Sequence, residues 1–215
     1  MNPLEESDLP LERKLADALA RISVAMRADN WDWFGKEGLS PTQGQILLLL
    51  NSRQAPMRLT EVASELAVTA ATVSDSVATL AEKELIQKEK AIDDGRALAL
   101  TLATKGKKLL NLYQKEQTAI QLAVSRLPQS DQIVLYRSLL RIIRELQMNG
   151  KIPIARMCVT CRYFRPNVRK NAEQPHHCAL VNAPLGDRML RNDCPEHDAA
   201  DAYLAEQNWI SFTNH

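Results

Sequence analysis

Apolar residues recur every three or four positions over most of the first 148 residues, the spacing of helices with one buried face. The first stripe predicts a long helix that ends near residues 31–34; its members are Leu11, Leu15, Ala18, Leu19, Ile22, Ala25 and Met26. A second helix should begin at Ser40, which has the spacing of a capping box with Gln43. The apolar run at residues 46–50 indicates that this second helix is buried.

Two short helices and a hairpin follow. Residues 59–66 form an amphipathic pattern with Thr60 as the expected cap, and Thr69 opens a helix whose inward face is Val73, Val77 and Leu80. Two short helices joined by a tight connection predict a helix-turn-helix. Residues 85–90 and 97–102 then alternate as strands, with a turn at residues 93–96. A helix-turn-helix followed by a hairpin is a winged helix.

The second helix of this motif presents small and polar side chains, which suit contact with base edges in a major groove. The candidate DNA-contacting residues are Arg58, Thr69, Ala71, Thr72, Ser74, Ser76, Lys88, Lys90 and Arg96. Arg96 at the wing tip suits a minor groove or a phosphate. The helix has no basic residue before Lys83, so DNA affinity should depend on Arg53, Arg58 and the wing cations. Asp75 is either a base-reading residue or a solvated one.

The fold class predicted for this part of the chain is mainly α with a small β wing. A long helix should run from Thr104 past Leu122, stop at Leu127-Pro128, and be followed by a last helix to about Met148. The first and last helices together offer more apolar surface than a winged helix needs. This surplus indicates a helical homodimer interface.

These motifs resemble the MarR family of winged-helix regulators. The resemblance is carried by Leu39-Ser40-Pro41-Thr42-Gln43, Leu59-Thr60-Glu61-Val62-Ala63, Thr69-Ala70-Ala71-Thr72-Val73-Ser74 and Asp93-Asp94-Gly95-Arg96-Ala97. It implies a homodimer built from the first and last helices, a recognition helix at residues 69–83 and a wing around residues 86–102. It also implies binding to double-stranded DNA at a pseudo-palindromic operator. The alternative is a winged helix that serves only for dimerisation.

Composition narrows the function classes. The 215 residues carry 27 Lys and Arg against 26 Asp and Glu, and this net charge of +1 excludes a histone-like polycation. The chain has no apolar run long enough to cross a bilayer and no apolar signal-peptide core, so we expect a cytoplasmic protein without a membrane partner. It has no phosphate loop, dinucleotide fingerprint or catalytic triad, so we do not expect an enzyme.

All four cysteines and all four histidines follow residue 157. Gly150 and Pro153 should stop the last helix, which predicts a winged-helix domain at residues 1–149 and a Cys-rich module at residues 150–215 with an acidic C-terminal tail. The pattern Cys158-x2-Cys161-x16-Cys178-x15-Cys194 predicts four thiolates at one centre. In a cytosolic protein such a set favours metal or redox chemistry over structural disulfides.

The cysteine spacing resembles the ligand layout of high-potential iron-sulfur proteins and of small subunits of glycyl-radical enzymes. Cys158 and Cys161 form the leading pair, Tyr163 and Phe164 follow it, and two single cysteines complete the set. The resemblance implies a [4Fe-4S] cluster, with Zn²⁺ or a [2Fe-2S] cluster as alternatives.

Two other features of the module have open interpretations. The histidines at positions 176, 177 and 197 are interpreted as solvated surface residues, with a mixed Cys/His site as the alternative. Residues 151–170 carry six Lys or Arg and no acid. This stretch would either contact DNA backbone or offset the negative charge of a four-thiolate centre.

The leading hypothesis is a dimeric transcription regulator whose operator binding is modulated by an iron-sulfur cluster that senses redox state, nitric oxide or iron. One alternative is a MarR-type repressor that responds to a small ligand and has a structural zinc site. Another is a dimeric electron-transfer protein. Metal analysis separates the first two, and salt-dependent DNA binding separates both from the third.

Overall fold

The computed structural model describes residues 9–53, 55–90, 98–153 and 155–214. Within them the chain is mostly helical with two small antiparallel sheets. The helices are α1 (Leu11–Lys36), α2 (Pro41–Ser52), α3 (Leu59–Glu65), α4 (Ala70–Glu82), α5 (Thr104–Tyr113), α6 (Ala119–Ser125), α7 (Gln129–Met148) and α8 (Ala202–Thr213). The strands are β1 (Met57–Arg58), β2 (Ile86–Lys90), β3 (Leu98–Leu102), β4 (Phe164–Arg165), β5 (His176–Cys178) and β6 (Ala183–Leu185). None of the helices described is both long and apolar enough to span a bilayer.

The chain forms two compact units. The first comprises Met1–Asn51, Met57–Val62 and Ala70–Leu127, and the second comprises Ser52–Pro56, Ala63–Thr69 and Pro128–His215. Helix α7 therefore lies in the same unit as the four cysteines. The domain boundary between residues 149 and 150 stays a prediction.

The first unit contains the wing. Its sheet has the order β1-β3-β2, with Ile86 opposite Leu102 and Lys88 opposite Leu100. Leu100 is fully buried, because β3 is the central strand and its inner face contributes to the core. The two predicted wing strands are confirmed, whereas β1 was not predicted. The predicted turn at residues 93–96 lies outside the described residues.

Local signals position the helices around this sheet. Ser40 and Gln43 form the predicted capping box, with an amide-to-carboxamide bond of 2.9 Å and an amide-to-hydroxyl bond of 3.3 Å. Val73, Val77 and Leu80 are buried on α4 as predicted. The prediction that Thr60 caps α3 is wrong, because that helix already begins at Leu59.

The long helix predicted from Thr104 is also wrong, since the structure has two helices there. Helix α5 ends at Tyr113, and α6 begins after Thr118. Thr118 and Gln121 form a capping box that gives α6 its own start. The interruption at residues 127–128 is confirmed, since α6 ends at Ser125 and α7 begins after Pro128.

The second unit packs the cysteine segments against α7 and α8. Its fully or nearly fully buried core consists of Leu140, Met157, Val159, Cys161, Phe164, Leu190 and Phe212. Helix α7 ends at Met148 as predicted, and Gly150 has the positive φ of 63° that suits a residue just past a helix end. The segment predicted as an acidic tail includes α8, which begins with the side-chain cap of Asp201 on the Leu204 amide.

Candidate functional site

Helix α4 presents most of the predicted base-reading residues to solvent. Thr69, Ala71, Thr72 and Ser74 are exposed at its beginning. The prediction that Ser76 is exposed is wrong: it is only 8% exposed because it falls on the same face as Val73, Val77 and Leu80. The exposed face of α4 continues past these residues through Asp75, Ala78 and Glu82.

The predicted DNA-contacting cations differ in their exposure and in their bonding partners. Lys88 and Lys90 are exposed on β2, and Arg58 is half-buried on β1. Arg96 lies outside the described residues. Arg53 is held by two carboxylates: its Nη2 lies 2.9 Å from Glu65 Oε1 and its Nη1 lies 3.1 Å from Asp193 Oδ1.

The four cysteines come from three separate segments and line one cavity of about 30 Å³. Cys158 begins a short 3-10 helix, Cys161 follows that helix, and Cys178 ends β5 opposite Phe164. Cys194 lies in the loop before α8. The rest of the cavity wall is formed mainly by apolar and aromatic side chains, namely Tyr163, Phe164, Leu180 and Leu185, together with Glu196.

Backbone hydrogen bonds fix these segments to one another. The Cys158 amide donates to the Arg191 carbonyl at 2.9 Å, and the Cys194 amide donates to the Arg156 carbonyl at 2.8 Å. The Cys161 amide donates to the Cys158 carbonyl at 3.0 Å, which forms the tight turn of the Cys-x-x-Cys pair. The convergence of the thiols thus rests on main-chain geometry.

Arg191 contacts two of the sulfurs. Its backbone amide donates to Cys158 Sγ at 3.2 Å, and its guanidinium Nη1 lies 3.7 Å from Cys194 Sγ. Burial raises the pKa of the Cys158 thiol from 9.0 to about 11, and the neighbouring thiols add to this against the lowering effect of the Arg191 amide. Burial likewise raises the pKa of the Cys194 thiol. All four thiols are free of disulfides.

Across the described residues, no group of three or more His, Cys, Asp or Glu side chains has an arrangement that could hold a metal ion. The metal centre at Cys158, Cys161, Cys178 and Cys194, and its identity as [4Fe-4S], [2Fe-2S] or Zn²⁺, therefore remain predictions.

The interpretation of His176 as a solvated surface residue is wrong, and His177 and His197 are partly buried. His176 is fully buried; it accepts a hydrogen bond from the Asn167 amide at Nδ1, and its Nε2 lies 2.8 Å from Asp187 Oδ1. The hydrogen bond from His176 is the largest cause of the lowered pKa of Asp187, and Arg137 also lowers it. His197 is half-buried, with Nε2 lying 3.0 Å from Thr160 Oγ1.

Three of the six basic side chains at residues 151–170 are engaged within their own unit. Arg156 binds Asp193, Arg162 binds Asp198, and Arg165 donates to two main-chain carbonyls. These bonds hold the loops that carry the cysteines.

Comparisons with known proteins address the winged helix. A family model described as the MarR family matches residues 37–97. A MarR protein from Peptoclostridium difficile DA00132 superposes with a TM-score of 0.56 at 18% identity, covering 63% of this chain and 88% of that one. The fold is that of the MarR winged helix.

Two further solved structures share the fold. A MarR transcriptional regulator from Methanosarcina mazei Go1 gives a TM-score of 0.54 at 13% identity, covering 62% of this chain and 96% of that one. Streptococcus pneumoniae FabT in complex with DNA gives 0.52 at 20% identity, covering 63% and 97%. No curated protein sequence matches the chain. The family match to residues 37–97 and these solved structures agree on the winged-helix fold.

We predict that Asp187→Asn lowers the free energy of unfolding by about 1–3 kcal/mol at pH 7, because His176 and Arg137 lose a charged acceptor. The pKa of Asp187 is lowered from 3.8, so its contribution is present above that pH and is lost as pH falls through the folded value. Urea unfolding followed by tryptophan fluorescence between pH 3 and pH 7 should therefore show the difference from wild type narrowing at acid pH.

The matched control for this measurement is Asp198→Asn, which removes a half-exposed ion pair with Arg162. It should change stability by less than about 0.5 kcal/mol. Equal losses for the two variants would contradict a structural role for the buried His176–Asp187 pair.

Proposed function

We propose that the protein is a homodimeric transcription regulator that binds double-stranded DNA through the winged helix and responds to the state of a metal centre at the four cysteines. The observation that carries the proposal is the convergence of Cys158, Cys161, Cys178 and Cys194 on one cavity, in a chain that has the MarR winged-helix fold.

DNA binding is supported by the surface of α4 and the wing. The first turns of α4 carry small side chains that allow close approach to base edges, and Lys88 and Lys90 extend from β2 toward solvent. FabT, which shares the fold, is in complex with DNA in its structure. In this protein the wing lysines would bind phosphates while α4 reads the operator.

Dimerisation is supported by the exposed apolar stripe of α1. Leu11, Leu15, Leu19, Ile22 and Met26 are 37–68% exposed, although they follow the spacing of a buried helix face. Contiguous apolar surface of this kind usually marks an interface between chains. A second copy of the chain would cover it and give the two recognition helices the two-fold arrangement that a pseudo-palindromic operator requires.

The chemistry of the donor set at the cysteine site suits a metal centre, although the described side chains are not arranged to hold one. Four sulfurs suit zinc or an iron-sulfur cluster, and the apolar part of the wall, which also contains the Glu196 carboxylate, would limit solvent access. We favour [4Fe-4S] over zinc, because structural zinc sites commonly take their ligands as two close pairs and here two cysteines stand alone. Such a cluster supplies sensitivity to oxidants, nitric oxide or iron supply.

The chain's own residues would hold and tune this centre. The four thiolates bind it, the Arg191 amide and guanidinium donate to the sulfurs of Cys158 and Cys194, and the apolar wall excludes water. Loss of the centre would leave the Cys158–Thr160 segment and the Cys194 loop joined by their hydrogen bonds but no longer by shared ligation.

A second candidate function is response to a small anionic ligand. A cavity of about 250 Å³ in the first unit is lined by three lysines and one carboxylate, Lys83, Lys105, Lys108 and Glu37, beside Leu85, Leu109 and Leu112. The lysines and the apolar surface of this cavity suit an amphiphilic anion. In that case the cysteine site would be a structural zinc site.

We predict that Lys88→Ala and Lys90→Ala each weaken binding to any duplex and reduce the slope of log Kobs against log salt by about one. Fluorescence anisotropy over a range of salt concentrations measures this slope. Lys115→Ala, an exposed lysine between α5 and α6, serves as the control. An absence of salt-dependent duplex binding would favour the electron-transfer alternative.

We predict that Leu15→Glu with Ile22→Glu converts the protein from a dimer of twice 24.1 kDa to the monomer mass, because the charges would be buried in the α1 interface. Sedimentation or light scattering measures the mass. Arg13→Glu, which alters the opposite face of α1, should leave the dimer intact. A wild-type monomer would contradict the proposal.

We predict that the protein purified without oxygen carries about four iron and four sulfide per chain, and that Cys158→Ser and Cys194→Ser lose most of them. Both variants should also lose the oxidant dependence of operator affinity that the wild type shows. Val181→Ser, at an exposed position beside the site, is the control.

Two results would contradict this assignment. About one zinc per chain would make the site structural and favour the small-ligand alternative. Operator binding by both serine variants equal to wild type, with and without oxidant, would show that the cysteine site is not a sensor.

A further inference from the structure

A chain of ion pairs begins at the residue beside Cys194. Asp193 Oδ1 accepts a hydrogen bond of 2.7 Å from Arg156 Nε and one of 3.1 Å from Arg53 Nη1. Arg53 Nη2 in turn lies 2.9 Å from Glu65 Oε1. We call Glu65, Arg53, Asp193 and Arg156 the ion-pair chain; it contains two cations and two carboxylates, so its charges balance.

The two cations of the ion-pair chain are more buried than its two carboxylates, since the side chain of Glu65 is 30% exposed and that of Asp193 is 37% exposed. The Arg53 side chain is 13% exposed and that of Arg156 is 21% exposed. A guanidinium that is this far buried needs its carboxylate partners, because water does not solvate it well enough to compensate for the loss of a carboxylate. Movement of Asp193 therefore changes the position or the partners of Arg53.

One end of the ion-pair chain is bound to the cysteine site by a backbone hydrogen bond as well as by charge. Asp193 directly precedes Cys194, and the Cys194 amide donates to the carbonyl of Arg156 at 2.8 Å. Arg156 lies two residues before Cys158. The segments that carry Cys158 and Cys194 are thus both anchored to members of the ion-pair chain.

The other end reaches the helix-turn-helix. Glu65 is the last residue of α3, and only four residues separate it from the start of α4 at Ala70. That connection is tight: Ala67 has a φ of 52°, and the Val68 amide donates to the Ala63 carbonyl at 3.0 Å. Arg156 Nη2 also donates to the carbonyl of Ser52, the last residue of α2, at 2.6 Å.

We propose that the ion-pair chain transmits the state of the cysteine site to the turn of the helix-turn-helix, with Arg53 as the positioning residue that joins the two. The proposal rests on the proposed function, in which the cysteine site controls DNA binding. Every residue involved belongs to the second compact unit. When the Cys194 loop shifts, Asp193 moves, Arg53 follows, and Glu65 repositions the residues that lead into α4.

The same module offers a matched control. Asp198 follows Cys194 by four residues and binds Arg162 at 3.3 Å, but both side chains are at least half exposed and both lie within the module. Asp193→Asn and Asp198→Asn therefore remove the same charge on either side of Cys194, one residue before it and four residues after it. Glu65→Gln alters the opposite end of the ion-pair chain, remote in sequence from every cysteine.

The test compares hydrogen exchange of residues 63–69 in protein loaded with Fe²⁺ and sulfide, or with Zn²⁺ alone, and in protein treated with a chelator. We expect the exchange rate in the wild type to change by about tenfold between the loaded and stripped forms, in the range of allosteric couplings. In Asp193→Asn and Glu65→Gln the change should fall below about twofold, with metal content per chain unaltered. Asp198→Asn should behave as the wild type.

The proposal is overturned if the exchange rate of residues 63–69 in Asp193→Asn and Glu65→Gln depends on metal loading as strongly as in the wild type. It is also overturned if this rate in the wild type does not depend on metal loading. Affinity for a duplex selected by the wild type from a random library is measured on the same samples. Exchange that depends on loading, with an affinity that does not, would support the ion-pair chain while contradicting cysteine control of DNA binding. If affinity depends on loading and exchange does not, the result would support cysteine control of DNA binding and contradict the ion-pair chain as its route.

Discussion

The cysteine site depends on an apolar core that its own segments are too small to build. About 60 residues bury little surface alone, and here Leu140 of α7, the helix that precedes them, joins Phe212 of α8 in the cluster around Phe164. Cations hold the two helices together across this core: the Arg144 guanidinium lies 4.2 Å from the Trp209 ring centre, and Arg137 donates to the Phe212 carbonyl at 2.6 Å. The four thiols meet because this core fixes the loops that carry them.

Local signals in the sequence predicted local structure well. The Ser40 capping box, the inward face of α4 and the stop at Gly150 depend on residues within a few positions of one another. The burial of His176 could not be predicted in this way, because it depends on Asp187 and Asn167 across separate loops. Strand β1 was missed because two residues carry no periodicity.

At the cysteines, spacing predicted which side chains would converge, and the common cavity agrees with it. Spacing does not determine the distances between sulfurs, since these depend on how each loop is anchored. The ion pair of Arg53 with Asp193 could not be predicted for a similar reason. As a basic residue beside a helix-turn-helix it resembled a phosphate ligand, but Asp193, far away in sequence, engages it.

Arg191 contacts two cysteines by different means, and this affects how the site can evolve. The bond to Cys158 comes from the backbone amide, so every residue except proline at position 191 retains the donor. The contact with Cys194 comes from the guanidinium and disappears with the side chain. Sequence drift at this one position would therefore adjust the electrostatics of one sulfur while the geometry around the other is inherited unchanged.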